Sequence, residues 1–522
     1  MPNSTLSSLP KLIIYWCRRD FRLTDNPALF QAVAKAKDTN TDFLPMFILD
    51  DGILKAPSSS FVDNNQSDQN KVNIGYPRRL FLSKVLSNFA FQFPQFYVLK
   101  GDYKQVFEIL SQRYDLEVFV NEDIEPYSIS RDNEVSKLVN KFHSYSDQIS
   151  VDKSILSGTG NFYSVFSPFK RAVWSQFIES QVLPKVIDIP ITQADIRELE
   201  LEILPSYEDE RTMQKAIFEL IDIPWTFYLP SGNRINLDDI LERPTYDEWK
   251  YTESDCQAQF QNFITSGKLA NYKNHRDDLA MDTLSGGQTS RMSVALKWGI
   301  VSSRYLKKTI EDNCGSLPAQ PLGRGIEGNN EGIDCFISEL IWREFYKYIL
   351  YHRPDVLNLE FQPKYQNTID WVDDDKAQYR LVKWIKGETG YPAVDASMNQ
   401  ISNIGWMHNR ARMMVASILT KNLGVNWRYG QEYFRAVLLD LDESANNGGW
   451  QWASSTGSDS KPIRIFNPYL QAQNYDKNNL YQKHWLPKDY KASFEPIVEH
   501  SVARQQALKR YGVGDSRSVR DF

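Results

Sequence analysis

Short apolar runs separated by segments of helical period fill the first 150 residues, and this alternation confines that part of the chain to a parallel α/β architecture. The runs Lys11 to Cys17, Phe43 to Leu49, Phe96 to Lys100 and Leu116 to Asn121 each have the length of a strand. Between them Leu82, Val85, Leu86 and Phe89 fall at i, i+3, i+4 and i+7, and Val106, Ile109 and Leu110 repeat the spacing, which predicts helices laid over a sheet. The polar stretch from Ala56 to Tyr76 has no period and is expected to be a long loop. No G-x-G-x-x-G follows the first strand, which argues against a dinucleotide site of the Rossmann type there.

From Leu156 to Pro244 the chain mixes Gly, Pro and Ser with short helical segments, including GTGNFYSVFSPFKRAVW, and reads as a connector. Beyond Tyr246 the pattern is helical, with long periodic segments such as FISELIWREFYKYIL and WMHNRARMMVASILTKNL. The expected organisation is an α/β domain over 1–150, an inter-domain linker over 151–244, a larger all-α domain over 245–490 and a short tail over 491–522. No apolar run reaches the roughly 18 to 20 residues of a membrane span, and the start lacks a basic n-region and a small-residue cleavage site. A soluble, cytoplasmic protein is expected. Cys17, Cys256, Cys314 and Cys335 are far apart and form no C-x-x-C pair, so neither a zinc site nor an iron–sulfur cluster is expected.

A net charge of −6 does not suit a protein whose main business is non-specific binding to nucleic acid, although a local basic patch can coexist with an acidic remainder. Aromatic residues make up 13% of the chain, and most of the thirteen tryptophans lie beyond residue 295, so the helical half has either a large aromatic core or a site for a flat ligand.

Several helical segments carry polar groups that a plain core helix would not need. Glu339, Trp342, Arg343 and Tyr346 share one face by spacing, though a salt-bridged surface face has the same pattern. Trp406, Asn409, Arg410 and Met413 share another, flanked by His408 and Arg412, where an amphipathic helix is the plainer alternative. In LLDLDESANNGGWQWASSTG, Asp440 and Asp442 precede Asn446-Asn447-Gly448-Gly449 and then Trp450 and Trp452. Glycines admit close approach of a backbone to a flat ligand and Asn side chains bond to ring edges, while Asn-Gly is also a common turn pair. The loop GGQTSRMS, Gly286 to Ser293, offers backbone N–H groups, hydroxyls and Arg291 near a helix start, a composition suited to phosphate.

In this order the strings WCRRDFRLTDNPAL, SELIWREF, GYPAVDASMNQISNIGWMHNRARM, ANNGGWQWASSTG and RIFNPYLQ resemble the DNA photolyase and cryptochrome family, over Leu12 to Pro487. The resemblance implies an N-terminal parallel-sheet domain joined by a long linker to a helical domain that holds FAD in a folded conformation. It implies cofactor contacts from Tyr272, from Thr289, Ser290, Arg291, Met292 and Ser293, and from Phe336, Glu339, Arg343, Asn409, Arg412, Asp440, Asp442 and Asn446, with Arg412 and Asp440 as an ion pair. Asn446 matches the residue opposite flavin N5, where an amide accords with an anionic reduced flavin. Trp450, Trp427 and Trp371 match a chain that carries electrons between the surface and the flavin. Trp342 and Trp452 match aromatics flanking a flipped-out lesion, and Glu339, Asn409, Arg410 and Met413 match its neighbours, with Glu339 expected as a buried, partly protonated carboxyl that bonds to the lesion and Arg410 contacting DNA phosphate.

The implied activity is light-driven splitting of cyclobutane pyrimidine dimers in DNA by a class I type photolyase with reduced FAD, acting as a monomer. Asn409 and Met413 stand where enzymes acting on (6-4) photoproducts usually carry histidines, and Asn446 stands where plant cryptochromes usually carry Asp and animal ones Cys, so those two alternatives fit less well. The sequence departs from the family pattern at Phe336, often Trp, and in the Val-Ala of SRMSVALKWG, often Ser-Pro. NEDIEPYSISRD, Asn121 to Asp132, lies where some members contact an antenna pigment and does not decide between folate, deazaflavin and none.

Overall fold

The structure is a computed structural model that describes residues 9–50, 55–56, 72–73, 75–93, 96–190, 196–204, 209–221, 225–241, 247–281, 287–321, 331–458, 463–490 and 495–513. Five parallel strands, β1 (Lys11–Trp16), β2 (Asp42–Leu49), β3 (Tyr97–Lys100), β4 (Asp115–Asn121) and β5 (Lys141–Tyr145), form the sheet with β6 (Glu202–Ile203), which pairs antiparallel to β3 at one edge. Their order is β5-β4-β1-β2-β3-β6. β1 is buried on both faces from Leu12 to Trp16, as a central parallel strand must be when helices cover the sheet. Helix α1 (Pro27–Thr39) starts at Asn26, whose side chain accepts from Leu29 N, with Pro27 at the first helical position. Leu82, Val85, Leu86 and Phe89 are all buried on α2 (Tyr76–Phe91), as their spacing predicts. On α3 (Tyr103–Ser111) the buried face is Val106, Phe107 and Leu110, and Phe107 rather than Ile109 packs edge-on against Trp16.

Of the polar stretch expected as a loop, residues 57–71 and 74 lie outside the described residues, while Val72–Asn73 pairs antiparallel with Lys55–Ala56. Gly286 of the Gly-rich loop is also outside them. β5 and β6 were not anticipated by the pattern. KFHSY is only half buried and lacks an apolar run, and β6 comes from the connector, recruited by β3.

Within the connector Thr226–Tyr228 pairs antiparallel with Arg234–Asn236, the described residues from 247 on are mainly helical, and the α/β layer and the helices share a core. The sheet face carrying Ile13, Tyr15, Phe43 and Phe47 packs into a cluster that continues through Phe81 and Trp298 to Phe345, Trp384 and Trp450, whereas Leu12, Ile14 and Trp16 belong to a smaller cluster on the other face. Buried charges join the two halves. Asp25 and Asp147 both bind Arg304, at 2.9 and 2.7 Å, and Arg22 donates to the Gly299 carbonyl at 3.1 Å. Beyond Tyr490, where a tail is expected, His500–Arg510 forms a helix that buries Ala507 and Leu508, followed by buried Tyr511, against Ile369, Ile463 and Ile465. Among the described residues no helix is long and apolar enough to cross a membrane.

Candidate active site

Four helices surround a cavity of about 360 Å³ in the helical half: α4 (Glu331–His352), α5 (Asn409–Ser417), α6 (Trp427–Val437) and α7 (Glu443–Ala453). From α4 come Glu339, Trp342 and Tyr346; from α5, Asn409, Arg412, Met413 and Ala416; from the turn into α7 and α7 itself, Asp440, Asp442, Asn446, Gly449, Trp450 and Trp452. The mouth is solvated at Asn409, whereas Asp440, Asn446 and Trp450 are buried at the floor. A charge or dipole at that floor acts in a low-dielectric setting.

Two segment faces differ from their expected composition. On α5 the wall residues are Asn409, Arg412, Met413 and Ala416, spaced i, i+3, i+4, i+7, so Arg412 is in and Arg410 is out. Arg410 binds Asp277 at 2.7 Å and its guanidinium lies 4.3 Å from the Tyr475 ring centre, which occupies the group expected to meet a phosphate. On α4, Tyr346 is in the wall but Arg343 is not. Arg343 donates to the Gln148 carbonyl at 2.9 Å and to Gln148 Oε1 at 3.2 Å, because that flank of the helix packs on the segment leaving the sheet.

Asp442 organises the floor. Its Oδ1 accepts from Ser444 N and Ala445 N, at 3.1 and 3.2 Å, as the N-cap of the helix that carries Asn446, Trp450 and Trp452. Its Oδ2 accepts from Lys347 Nζ at 2.7 Å. Burial alone would raise this carboxyl, but Lys347 first and then Arg19, Arg343 and Lys297 hold it well below the usual carboxylate range. Burial pushes Lys297 itself down to about 8, with repulsion from Arg19 adding to it. Beside this group Arg412 Nη2 binds both oxygens of Asp440, at 3.0 and 2.8 Å.

Glu339 is not buried as expected. Its side chain is 32% exposed and forms an ion pair with Arg276, which also reaches Cys335 Sγ and lines the cavity. Nothing in the sequence marks Arg276 except its place near Tyr272. Trp342 stacks on Phe166 of the connector with centroids 3.6 Å apart and planes at 7°, so one indole face is covered by a residue the sequence pattern leaves unremarked. Trp452 has the Arg464 guanidinium 4.8 Å from its ring centre.

The other expected cofactor residues are not in the wall of this cavity, yet several connect to it. Trp406 Nε1 donates to Ser293 Oγ at 3.1 Å, and the Trp406 ring has Arg291 at 5.0 Å and Arg412 at 6.0 Å, so this indole separates the Thr289–Ser293 segment from the Arg412–Asp440 pair. Ser290 Oγ accepts from Met292 N, and Met292 is buried. Tyr272 and Phe336 pack edge-on at 5.4 Å in an aromatic cluster with Phe263. Trp450 is edge-on to Phe434 at 5.0 Å and to Trp384 at 6.1 Å, and the latter ring had no expected role. Trp427 is fully buried with Nε1 donating to Glu360, and Trp371 is half-buried.

Asn446 Nδ2 donates to the Gln431 carbonyl, which leaves Asn446 Oδ1 buried with no donor; Thr289 Oγ1 and Trp450 Nε1 are also buried without partners. Buried polar atoms of this kind are normally satisfied, so they suit a bound group with a polar edge. Glycine serves two purposes on α7. A Cβ on Gly448 would lie 2.1 Å from Tyr346 Cδ1, so this residue admits a side chain rather than a ligand, whereas a Cβ on Gly449 would meet nothing within 4 Å and would intrude on the cavity.

Comparison with known proteins bears on the family and the fold. The profile described as the DNA photolyase matches residues 13–187, and that of the FAD binding domain of DNA photolyase matches residues 336–514. The deoxyribodipyrimidine photo-lyase of Synechococcus is 32% identical over 91% of this chain and 88% of its own length; that of Escherichia coli is 28% identical over 95% and 98%. Among solved structures, a bacterial class III photolyase from Agrobacterium tumefaciens superposes with a TM-score of 0.73 at 26% identity, covering 98% of both chains. A Synechocystis cryptochrome, at 20% identity and a TM-score of 0.70 over 99% of this chain and 97% of its own, shares the fold. With an N-terminal parallel-sheet domain, a helical FAD-binding domain and identity sustained along nearly its whole length, the chain belongs to the DNA photolyase/cryptochrome family.

Proposed function

We propose that the protein is a light-driven DNA repair enzyme of the class I photolyase type, which opens cyclobutane pyrimidine dimers and works as a monomer. The observation that carries this reading is that one cavity holds both residue sets: Trp342, Trp452, Asn409, Glu339 and Met413 toward the opening, and Asn446, Asp440, Asp442 and Trp450 at the floor. Bound in reduced form, FAD supplies a one-electron donor when it absorbs blue light. Its fit is supported by the unbonded Asn446 Oδ1, which can accept from a ring N–H, by Thr289 Oγ1 as a partner for a phosphate or hydroxyl, and by the open space at Gly449. Arg412 offers positive charge to an anionic ring while Asp440 holds the guanidinium in place.

At the opening, Trp342 and Trp452 present apolar surface to an extruded pyrimidine dimer, and Asn409 and Glu339 present hydrogen-bonding groups to its edges. Extrusion costs a few kcal/mol, a figure general to base-flipping proteins, photolyases among them, and lowest for damaged bases. Phe166 behind Trp342 keeps that ring from turning, so the wall is preorganised. Arg276, paired with Glu339, lies beside the opening, where a DNA phosphate would compete for its guanidinium. Trp450, Trp427 and Trp371 would return the cofactor to its reduced state by passing electrons inward from the surface. Asn409 and Met413, in place of histidines, favour cyclobutane dimers over (6-4) photoproducts.

The test is to illuminate FAD-loaded, reduced protein with an oligonucleotide containing a thymine dimer and follow recovery of thymine absorbance. Recovery in blue light and none in the dark is expected, with no repair of a (6-4) substrate. Normal flavin photoreduction without dimer turnover would overturn the enzymatic reading in favour of signalling.

A further inference from the structure

A second cavity, of about 310 Å³, lies at the outer end of the tryptophan series, with Tyr365, Trp371, Tyr429, Glu360, Asp374 and Arg428 in its wall. Trp371 borders it directly. Trp427 reaches it at one remove, because its Nε1 donates at 3.2 Å to Glu360, itself in the wall and only 2% exposed. Tyr511, just past the C-terminal helix, lies edge-on to Trp371 at 6.3 Å and to Tyr365 at 5.8 Å, so protein closes one side of the indole and the cavity borders another. The charges are arranged asymmetrically. Arg428 is engaged by both oxygens of Glu360, at 2.9 and 3.2 Å, and by the Asn358 carbonyl at 2.7 Å. Asp374, by contrast, is exposed on the first turn of the helix Asp374–Ile385. The wall therefore combines aromatic residues with an exposed carboxylate, a combination suited to a flat neutral or cationic molecule.

We propose that this cavity binds the external reductant that refills the tryptophan chain, a small phenol or aromatic amine, neutral or cationic. The proposal rests on the electron-carrying role given above to Trp450, Trp427 and Trp371. When an electron moves inward along that series, Trp371 is left as an indole radical cation. One electron from the bound donor restores the neutral indole without a proton change at tryptophan; a phenol donor loses its O–H proton to water and leaves as a phenoxyl radical, and an aromatic amine leaves as its radical cation. Holding the donor in wall contact with Trp371 shortens the transfer distance and makes the step intramolecular.

The experiment measures initial rates of flavin photoreduction in the full-length FAD-loaded protein against the concentration of two phenols of like size, cationic tyramine and anionic 4-hydroxyphenylacetate, at low salt. Saturation with tyramine, at lower concentration than with the anion, is expected. Asp374→Lys, at an exposed position, should weaken tyramine several-fold and strengthen the anion, with the difference shrinking as salt is added. Rates that rise in proportion to donor concentration and are unchanged by Asp374→Lys, in a protein whose Trp371→Phe variant photoreduces slowly, would overturn the cavity proposal alone. A Trp371→Phe variant that photoreduces at the wild-type rate would remove the electron chain and this proposal with it.

Discussion

Lys347→Met tests the floor of the active-site cavity at its most connected point. Lys347 has 0% side-chain exposure and Asp442 11%, with 2.7 Å between Nζ and Oδ2. Methionine keeps the length of the side chain and removes the charge, leaving Asp442 ionised in a buried setting. Breaking a buried pair from one side costs about 3–5 kcal/mol. Arg19, Arg343 and Lys297 still face the carboxylate, which places the expected loss at about 3 kcal/mol, the lower end of that range. Urea unfolding followed by circular dichroism, on FAD-free and FAD-loaded protein, reads the loss as a lower midpoint at unchanged slope.

The pH dependence has a fixed sign. The folded-state carboxyl of Asp442 is depressed, so its contribution is complete above the unfolded value of roughly 3.9 and disappears as pH falls through the folded value. The gap between wild type and Lys347→Met should therefore narrow in acid, where Asp442 is protonated in both. Adding Asp442→Asn removes both charges and keeps a residue competent to cap the helix, so the double variant should regain most of the loss. A single variant as stable as wild type, or a double variant no better than the single, refutes the account of Asp442 as a carboxylate held by Lys347.

Gly430→Ala would place a Cβ 2.1 Å from Trp450 Cη2 and 2.4 Å from Cζ3, displacing a buried indole; a stability loss of about 1–3 kcal/mol and slower flavin photoreduction are expected, and normal values of both would mean the helix α6 yields instead. Arg276→Gln should weaken binding to dimer-containing duplex and reduce the slope of log affinity against log salt by about 0.9, the value for one phosphate contact, whereas an unchanged slope would confine Arg276 to its pairing with Glu339.

Much of the framework is written in neighbouring residues. The apolar runs of β1 to β4 and the family strings are short-range patterns, and they sufficed for the two-part architecture and for the cavity residues Glu339, Trp342, Asn409, Met413, Asn446 and Trp452. β5 was not legible because its half-buried KFHSY owes its place to pairing with β4.

Which flank of a helix meets the cavity could not be read from spacing, since Arg343 and Tyr346 both lie on the predicted face and only packing against Gln148 turns one of them away. Arg410 was drawn off by Asp277, 133 residues earlier, and Glu339 by Arg276, 63 residues earlier. Lys347 sits within the apolar run FYKYIL and gives no local sign of its partner, Asp442, 95 residues on. Backbone period and capping depend on residues a turn apart, so sequence alone determines them. Which charge neutralises which depends on how distant helices come to share a buried space, and that is settled only when the chain folds.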